Sequence, residues 1–269
     1  MLKDITIGQY FPGSSIIHRL DPRFKIVITG LFIVMVFSAG SFAGIAVSAV
    51  YAAAAYCISG ISFSLMWKNL KHIIPILLVT AVMNLFFIDG ETLFEIGFIK
   101  ITYEAVESAV FMICRIILLI IGSSLLTYTT SPIALTDAIE RLLSPLKRFK
   151  LPVHELAMMM TIALRFIPTI LDETDKIMSA QKSRGADWET GSIMKRLKAL
   201  VPIFIPLFVS AFRRAEELAT AMECRCYRGG DGRTRLKQLK LSKSDYTAFV
   251  LTLVFNAAVI VTNIFFGRD

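Results

Sequence analysis

The chain has 269 residues, 55% of them hydrophobic and 19% charged, with a mean hydropathy of +0.64 and a formal net charge of +8. That is too apolar for an ordinary water-soluble domain, and the apolar residues are clustered, so membrane insertion is the leading reading. The excess charge does not point to nucleic acid. Residues 128–246 hold 20 Lys/Arg against 13 Asp/Glu, so most of the excess lies in one segment flanked by apolar runs, with no aromatic-interleaved basic motif.

The N-terminus opens on Lys3 and Asp4 and reaches no apolar run before Ile26, which predicts no cleavable signal peptide; the first spans would serve as the insertion signal. Residues 26–67 carry no charge. At about 1.5 Å per residue, one helix of that length would be roughly twice the ~30 Å hydrocarbon core, so the chain must fold back, and Ala39-Gly40-Ser41 is the natural break. Five spans are predicted, near residues 24–39, 42–59, 73–88, 105–127 and 247–266. Lys3, Arg19, Arg23 and Lys25 precede the first span, and Lys68 and Lys71 lie between the second and third. Those short basic loops place the N-terminus inside. Residues 89–104 hold Asp89, Glu91, Glu95 and Glu104 against Lys100, which suits the outer face. Arg115 lies in mid-span, eight residues after Glu107. Two readings of it stand, a functional group in the membrane or a structural one, in which it pairs with another helix or snorkels along a short tilted span.

The expected organisation is all-α: an N-terminal transmembrane region over 1–127, a cytoplasmic-face coupling domain over 128–246 and a last span over 247–269. The middle segment predicts three helices with unusually apolar faces. Ser131-Pro132 supplies a capping hydroxyl followed by proline at the first helical position, opening a helix to about Lys147. A second helix is expected from Pro152 to Ser183, with Gly185 as its stop. A third runs from Ser192 to about Cys226, with Gly229-Gly230 just beyond. Residues 201–212 are apolar but too short for a confident span. They are read as lying under the membrane, a sixth span being the alternative.

Two Arg-centred tripeptides stand 41 positions apart in this segment, Ser183-Arg184-Gly185 and Cys224-Arg225-Cys226. Each puts a permanently charged fork between small neighbours at a predicted helix end. A cation there is favoured by the helix dipole alone, by up to about 1 kcal/mol. The recurrence and the small flanks favour a second reading, docking, in which each guanidinium enters a groove and makes bidentate contacts. Two similar tips suit two copies of a partner.

Other motifs are weaker. Cys57 and Cys114 sit in apolar runs, and Cys224 and Cys226 in a polar stretch, so no disulfide framework is expected, and the C-x-C pair lacks structural-zinc spacing. His154-Glu155-Leu156-Ala157-Met158 has Met where the second zinc-binding His would stand. A membrane-embedded metal-dependent enzyme using His154, Glu155, Cys224 and Cys226 is therefore the lesser rival. In 227–234 Tyr227 replaces the first P-loop glycine and Arg233 the lysine. Neither a metal nor a cofactor is expected on this chain. Met158, Met159 and Met160 are either core filling or an adaptable contact surface.

The stretches Gln181-Lys182-Ser183-Arg184-Gly185-Ala186-Asp187 and Ala221-Met222-Glu223-Cys224-Arg225-Cys226-Tyr227-Arg228-Gly229, with Gly8-Gln9-Tyr10-Phe11-Pro12-Gly13 and Ser15-Ile16-Ile17-His18-Arg19-Leu20-Asp21-Pro22-Arg23, together resemble the transmembrane T component of energy-coupling factor transporters. This is the EcfT/CbiQ-like family of ABC-type vitamin and metal-ion importers, and the resemblance covers nearly the whole chain. It implies a multi-pass protein of the bacterial cell membrane, non-catalytic itself, in complex with two ABC-type ATPases that bind ATP and Mg, and with a substrate-capturing membrane S component. It carries ATPase docking onto Ser183, Arg184, Gly185, Cys224, Arg225 and Cys226, and S-component contact fits Met158, Met159 and Met160. The second motif often reads Ala-Arg-Gly in the family; here both flanks are Cys. The N-terminal match leans toward a module shared among S components, with a dedicated cobalt or biotin system as the alternative.

Overall fold

The computed structural model describes residues 10–87, 92–96, 99–188, 190, 192–229, 239 and 241–266. Gly8, Gln9, Asp89, Glu91, Gly230 and the P-loop-like positions 231–234 lie outside them. In chain order the elements are α1 (Ile16–Arg19), α2 (Pro22–Ser38), α3 (Phe42–Ser59), α4 (Phe63–Phe87), β1 (Thr92–Ile96), β2 (Ile99–Thr102), α5 (Tyr103–Thr129), α6 (Pro132–Leu143), a 3-10 turn (Ser144–Phe149), α7 (Val153–Ser183), α8 (Ile193–Cys224) and α9 (Lys243–Phe266). The architecture is helical, with one short antiparallel ribbon in which Thr92 faces Thr102 and Ile96 faces Ile99.

Helices α2, α3, α5 and α6 begin where side-chain acceptors can take unpaired first-turn amides, whereas no side chain caps α7 or α8. Asp21 caps α2 through the Arg23 amide at 2.9 Å, with Pro22 at the first helical position. Ser41 caps α3 through Gly44 at 3.2 Å, Thr102 caps α5 through Ala105 at 3.2 Å, and Ser131 caps α6 through Ala134 at 3.3 Å. Ala39-Gly40-Ser41 is the break between α2 and α3, as its composition predicts.

Five helices are long and apolar enough to cross a membrane: Phe42–Ser59, Phe63–Phe86, Tyr103–Thr129, Val153–Ser183 and Lys243–Phe265. Four of them overlap spans expected from sequence. The remaining expected span, α2, is 17 residues and about 26 Å long, at the lower end of spanning length and one residue shorter than α3. The fifth is α7, whose residues 155–171 carry only Glu155 and Arg165 as charges before the charged run that begins at Asp172. The third expected span also starts ten residues early. Lys68 and Lys71, read from sequence as loop residues, lie inside α4, which continues through Pro75. Both lysines carry long stems that can lie along a helix surface while the ammonium reaches polar surroundings.

The described chain divides into two compact units, one from residues between Gly8 and Leu135 and between Gln238 and Asp269, the other from residues between Thr136 and Lys237. In the first, α2, α3, α5 and α9 pack around Phe32, Met35, Val36, Ala39, Ile45, Ala52, Leu118 and Val259, and α4 lies against α5. Phe32 stacks on Tyr51 at 5.7 Å, and the Tyr51 hydroxyl bonds that of Thr252 at 2.8 Å, tying α3 to α9. Of the two readings of Arg115, the structure shows the structural one. Its Nη2 donates to the Ala39 carbonyl at 2.7 Å, and its guanidinium lies 4.8 Å from the Phe111 ring centroid. At the same turn Asn263 accepts from the Gly40 amide at 2.9 Å and donates to the Ser38 carbonyl. A sharp turn between helices leaves carbonyls without intrahelical partners, and these two side chains supply the donors.

The second unit is the α7–α8 hairpin with the end of α6. Both long helices run through internal prolines, Pro168 in α7 and Pro202 and Pro206 in α8. Because Pro206 has no N–H, the Pro202 carbonyl loses its ordinary helical donor. Gln181 of α7 fills the gap, its Nε2 donating to that carbonyl at 3.4 Å. Farther along, Arg214 Nη2 donates to Glu173 Oε2 at 2.8 Å. The pairings 181 with 202 and 173 with 214 fix the helices as antiparallel.

Two matched helix termini as a candidate docking site

Both Arg-centred tripeptides close their helices with the same backbone arrangement. After α7, the Ala186 amide reaches the Gln181 carbonyl at 3.0 Å and the Gly185 amide the Lys182 carbonyl at 3.0 Å. After α8, the Tyr227 amide reaches the Met222 carbonyl at 3.0 Å and the Cys226 amide the Glu223 carbonyl at 2.8 Å. These paired back-bonds are the Schellman terminus, which satisfies carbonyls that a helix end leaves open. It places Arg184 (φ −88, ψ 7) and Arg225 (φ −92, ψ 13) at the same position, the last helical-like residue before the chain reverses.

The reversal needs a left-handed residue right after each arginine. Gly185 takes it at φ +84, as the sequence leads one to expect. At the second terminus the residue right after the arginine, Cys226, takes it at φ +55. The departure of this motif from the Ala-Arg-Gly pattern thus leaves the geometry intact while placing a Cβ where glycine is favoured.

Ser183, Arg184, Gly185, Cys224, Arg225 and Cys226 are all exposed. Among the described residues no hydrogen bond or ion pair holds either guanidinium. The Ser183 hydroxyl donates to its own helix, to the Ser179 carbonyl at 3.1 Å, and so does not restrain its neighbour. Each fork offers five N–H donors in a fixed plane, suited to carboxylates or clustered carbonyls.

Because α7 and α8 are antiparallel, the two arginines cap opposite ends of the hairpin. A cavity of about 440 Å³ brings Met158 and Ile162 of α7 together with Leu218, Met222 and Arg225, and Cys226 to Gly229 complete its lining. Arg225 therefore lies level with residue 162, some 22 residues from Arg184, so the prongs stand roughly 30 Å apart.

Met158 is half-buried in that cavity, while Met159 and Met160 are exposed at 55% and 45%. The sequence grouped the three by adjacency; helical geometry turns Met158 toward Arg225 and its neighbours outward. Sequence reasoning passed over Gln181 and the Glu173–Arg214 pair. The missing N–H of Pro206 was the one available signal, since it implies an orphaned carbonyl four residues earlier. His154 Nδ1 lies 3.1 Å from Glu140 Oε1. Among the described residues no three His, Cys, Asp or Glu side chains gather as a metal-holding group.

Residues 13–236 match the family model CbiQ, described as cobalt transport protein. The chain is also 55% identical, over 93% of its length and 95% of the relative's, to the energy-coupling factor transporter transmembrane protein EcfT of Thermosediminibacter oceani. The chain belongs to the CbiQ/EcfT family. Its counterpart from Clostridium kluyveri is 53% identical with both chains fully covered, and that from Bacillus subtilis 45% identical over 97% and 98%. Membership in this family of transporter transmembrane components accords with the apolar helices and makes the chain a multi-pass component of an energy-coupling factor transporter.

Proposed function

We propose that this chain is the coupling subunit of a bacterial vitamin or micronutrient importer, joining two ABC-type ATPases, which bind ATP and Mg, to a membrane-embedded S component that captures the substrate. The observation that carries the proposal is the duplicated helix terminus: two exposed arginines in one backbone geometry, roughly 30 Å apart on one hairpin. Identical subunits need identical handles, and that spacing leaves room for one ATPase at each end. Approach of the ATPases on binding ATP would draw the tips with them and shift α7 against α8. The differential contacts in the two ATPase states supply the drive.

The same hairpin offers the surface for the S component. Val201, Phe204, Ile205, Phe208, Val209 and Phe212 of α8 are all at least half exposed and recur at helical spacing. Met159 and Met160 add a second exposed, adaptable apolar patch on α7. In this reading the N-terminus is inside, the α7–α8 hairpin lies along the inner face instead of crossing the membrane, and both tips lie in the cytoplasm, where ATP is found.

The test is the double substitution Arg184→Glu and Arg225→Glu. The variant should insert normally and lose its ATPases on co-purification from native membranes. Undiminished co-purification would overturn the docking assignment. A module dedicated to one substrate is the second reading, favoured by the cobalt-transport description of the matching family. Mass spectrometry of the co-purified S components decides it, several kinds indicating a shared module and one a dedicated module.

A further inference from the structure

The N-terminal motif Ser15 to Arg23 finds no role in docking, yet with Lys25 and Asp245 it forms a buried polar cluster in the membrane-spanning unit. The described chain leaves this unit after Leu135 and is described in it again at Leu239. The cluster grips the chain near both of these places.

On the outgoing side, the Lys25 Nζ donates to the carbonyl of Thr129, the last residue of α5, at 2.8 Å, and to the His18 carbonyl at 3.2 Å. One residue earlier, the Tyr128 carbonyl accepts from the Phe11 amide at 3.0 Å, and the Tyr128 ring is held edge-on by Phe11. These helix-end carbonyls have no intrahelical donor, so the N-terminal segment acts as a cap supplied from elsewhere in the chain. Thr130 and Ser131 follow at once, and Ser131 starts the helix that leads out of the unit.

On the returning side, Arg23 Nη2 reaches the Leu239 carbonyl at 3.4 Å. Asp245, 1% exposed, takes the Asp21 amide at 2.7 Å on one oxygen and the Ser242 amide and hydroxyl at 2.6 and 2.9 Å on the other. Arg23 and Asp21 are themselves locked as a two-pronged pair at 3.0 and 2.8 Å. Asp21 and Lys25 are buried as well, so the cluster contains two buried carboxylates and two cations. A set this costly to desolvate is weak evidence for stability and is well suited to fixing one geometry.

We propose that Asp21, Arg23, Lys25 and Asp245 are positioning residues that pin the end of α5 and the segment leading into α9 to the membrane bundle, so that the chain's links to the α7–α8 hairpin leave and re-enter the bundle at fixed points instead of with slack at the ends of α5 and α9. The consequence for transport rests on the proposed coupling role; the pinning itself does not.

The test uses the full chain in its native co-purified complex, with Lys25→Met and Asp245→Asn as separate variants and Lys25→Arg as the conservative control. Hydrogen–deuterium exchange should rise at least tenfold across residues 130–135 in Lys25→Met and at Asp21 and Ser242 in Asp245→Asn, with the mid-helix amides of α3 unchanged. Lys25→Arg should restore the wild-type pattern. In cells given a panel of radiolabelled water-soluble vitamins, uptake should fall at least tenfold in both variants, while ATP hydrolysis by the purified complex stays within twofold of wild type. Unchanged exchange at the links, or a uniform rise across the bundle, would overturn the pinning. Unaltered uptake with loosened links would overturn its coupling role. A wild-type chain that brings down no ATPase and supports no uptake defeats the proposed function and leaves the exchange measurement to decide the pinning alone.

Discussion

The two arginine termini share a backbone geometry but not the residue that allows it, and this difference can be exchanged between them. In Gly185→Ala, a Cβ built at that position meets nothing within 4 Å, so no clash contributes and the penalty is purely conformational. Holding an L-residue in the left-handed region costs roughly 1–2 kcal/mol, partly offset because alanine has less unfolded-chain entropy to lose than glycine. The net expectation is about 1 kcal/mol of local destabilisation at the end of α7. Cys226→Gly reverses the sign, relieving the φ +55 strain at the end of α8 by about the same amount. With 1.36 kcal/mol per factor of ten, each change corresponds to roughly fivefold in the local opening equilibrium. Hydrogen exchange at the Ala186 and Tyr227 amides reads it directly, because those amides make the long back-bonds of the two termini. Ala186 should exchange about fivefold faster in Gly185→Ala and Tyr227 about fivefold slower in Cys226→Gly. If both shifts had the same sign, or Tyr227 were unmoved, the equivalence of the two termini would be wrong, and the argument for two identical handles with it.

Gly122 of α5 faces Phe32 so closely that a Cβ would fall 2.3 Å from the ring. Gly122→Ala should therefore lower thermal stability by up to about 2 kcal/mol, the overpacking cost outweighing the gain in helix propensity, and Phe32→Leu in the same chain should recover part of it non-additively. Gln181→Leu removes the donor that replaces the missing Pro206 amide. It should cost about 0.5–1.5 kcal/mol in the α7–α8 unit, read as faster exchange along α8 near residue 202, with little change in the membrane bundle.

Much of this protein was legible before any coordinates. Uncharged runs longer than a bilayer forced a helical membrane protein that folds back at residues 39–41, since lipid offers backbone amides no partner except their own helix. Asp21-Pro22 and Ser131-Pro132 announced helix starts, and Gly185 announced a stop, because capping and left-handed turns depend on local residue chemistry. The arginine tripeptides could be picked out as matched helix ends by their spacing and small flanks.

Other features required the fold. That α4 carries Lys68 and Lys71 within it, and that α7 is continuous and long enough for a span, follow from where helices start and end, which hydropathy locates only loosely. That Cys226 adopts the glycine conformation is decided by the closing hydrogen bonds of α8. Arg115 on Ala39, Gln181 on Pro202, and Lys25 on Thr129 join residues 76, 21 and 104 positions apart. A sequence shows that a long polar side chain must find a partner at such depth. Which orphaned carbonyl it reaches depends on helix packing, because that carbonyl becomes an acceptor only when another helix brings its donor within hydrogen-bond range.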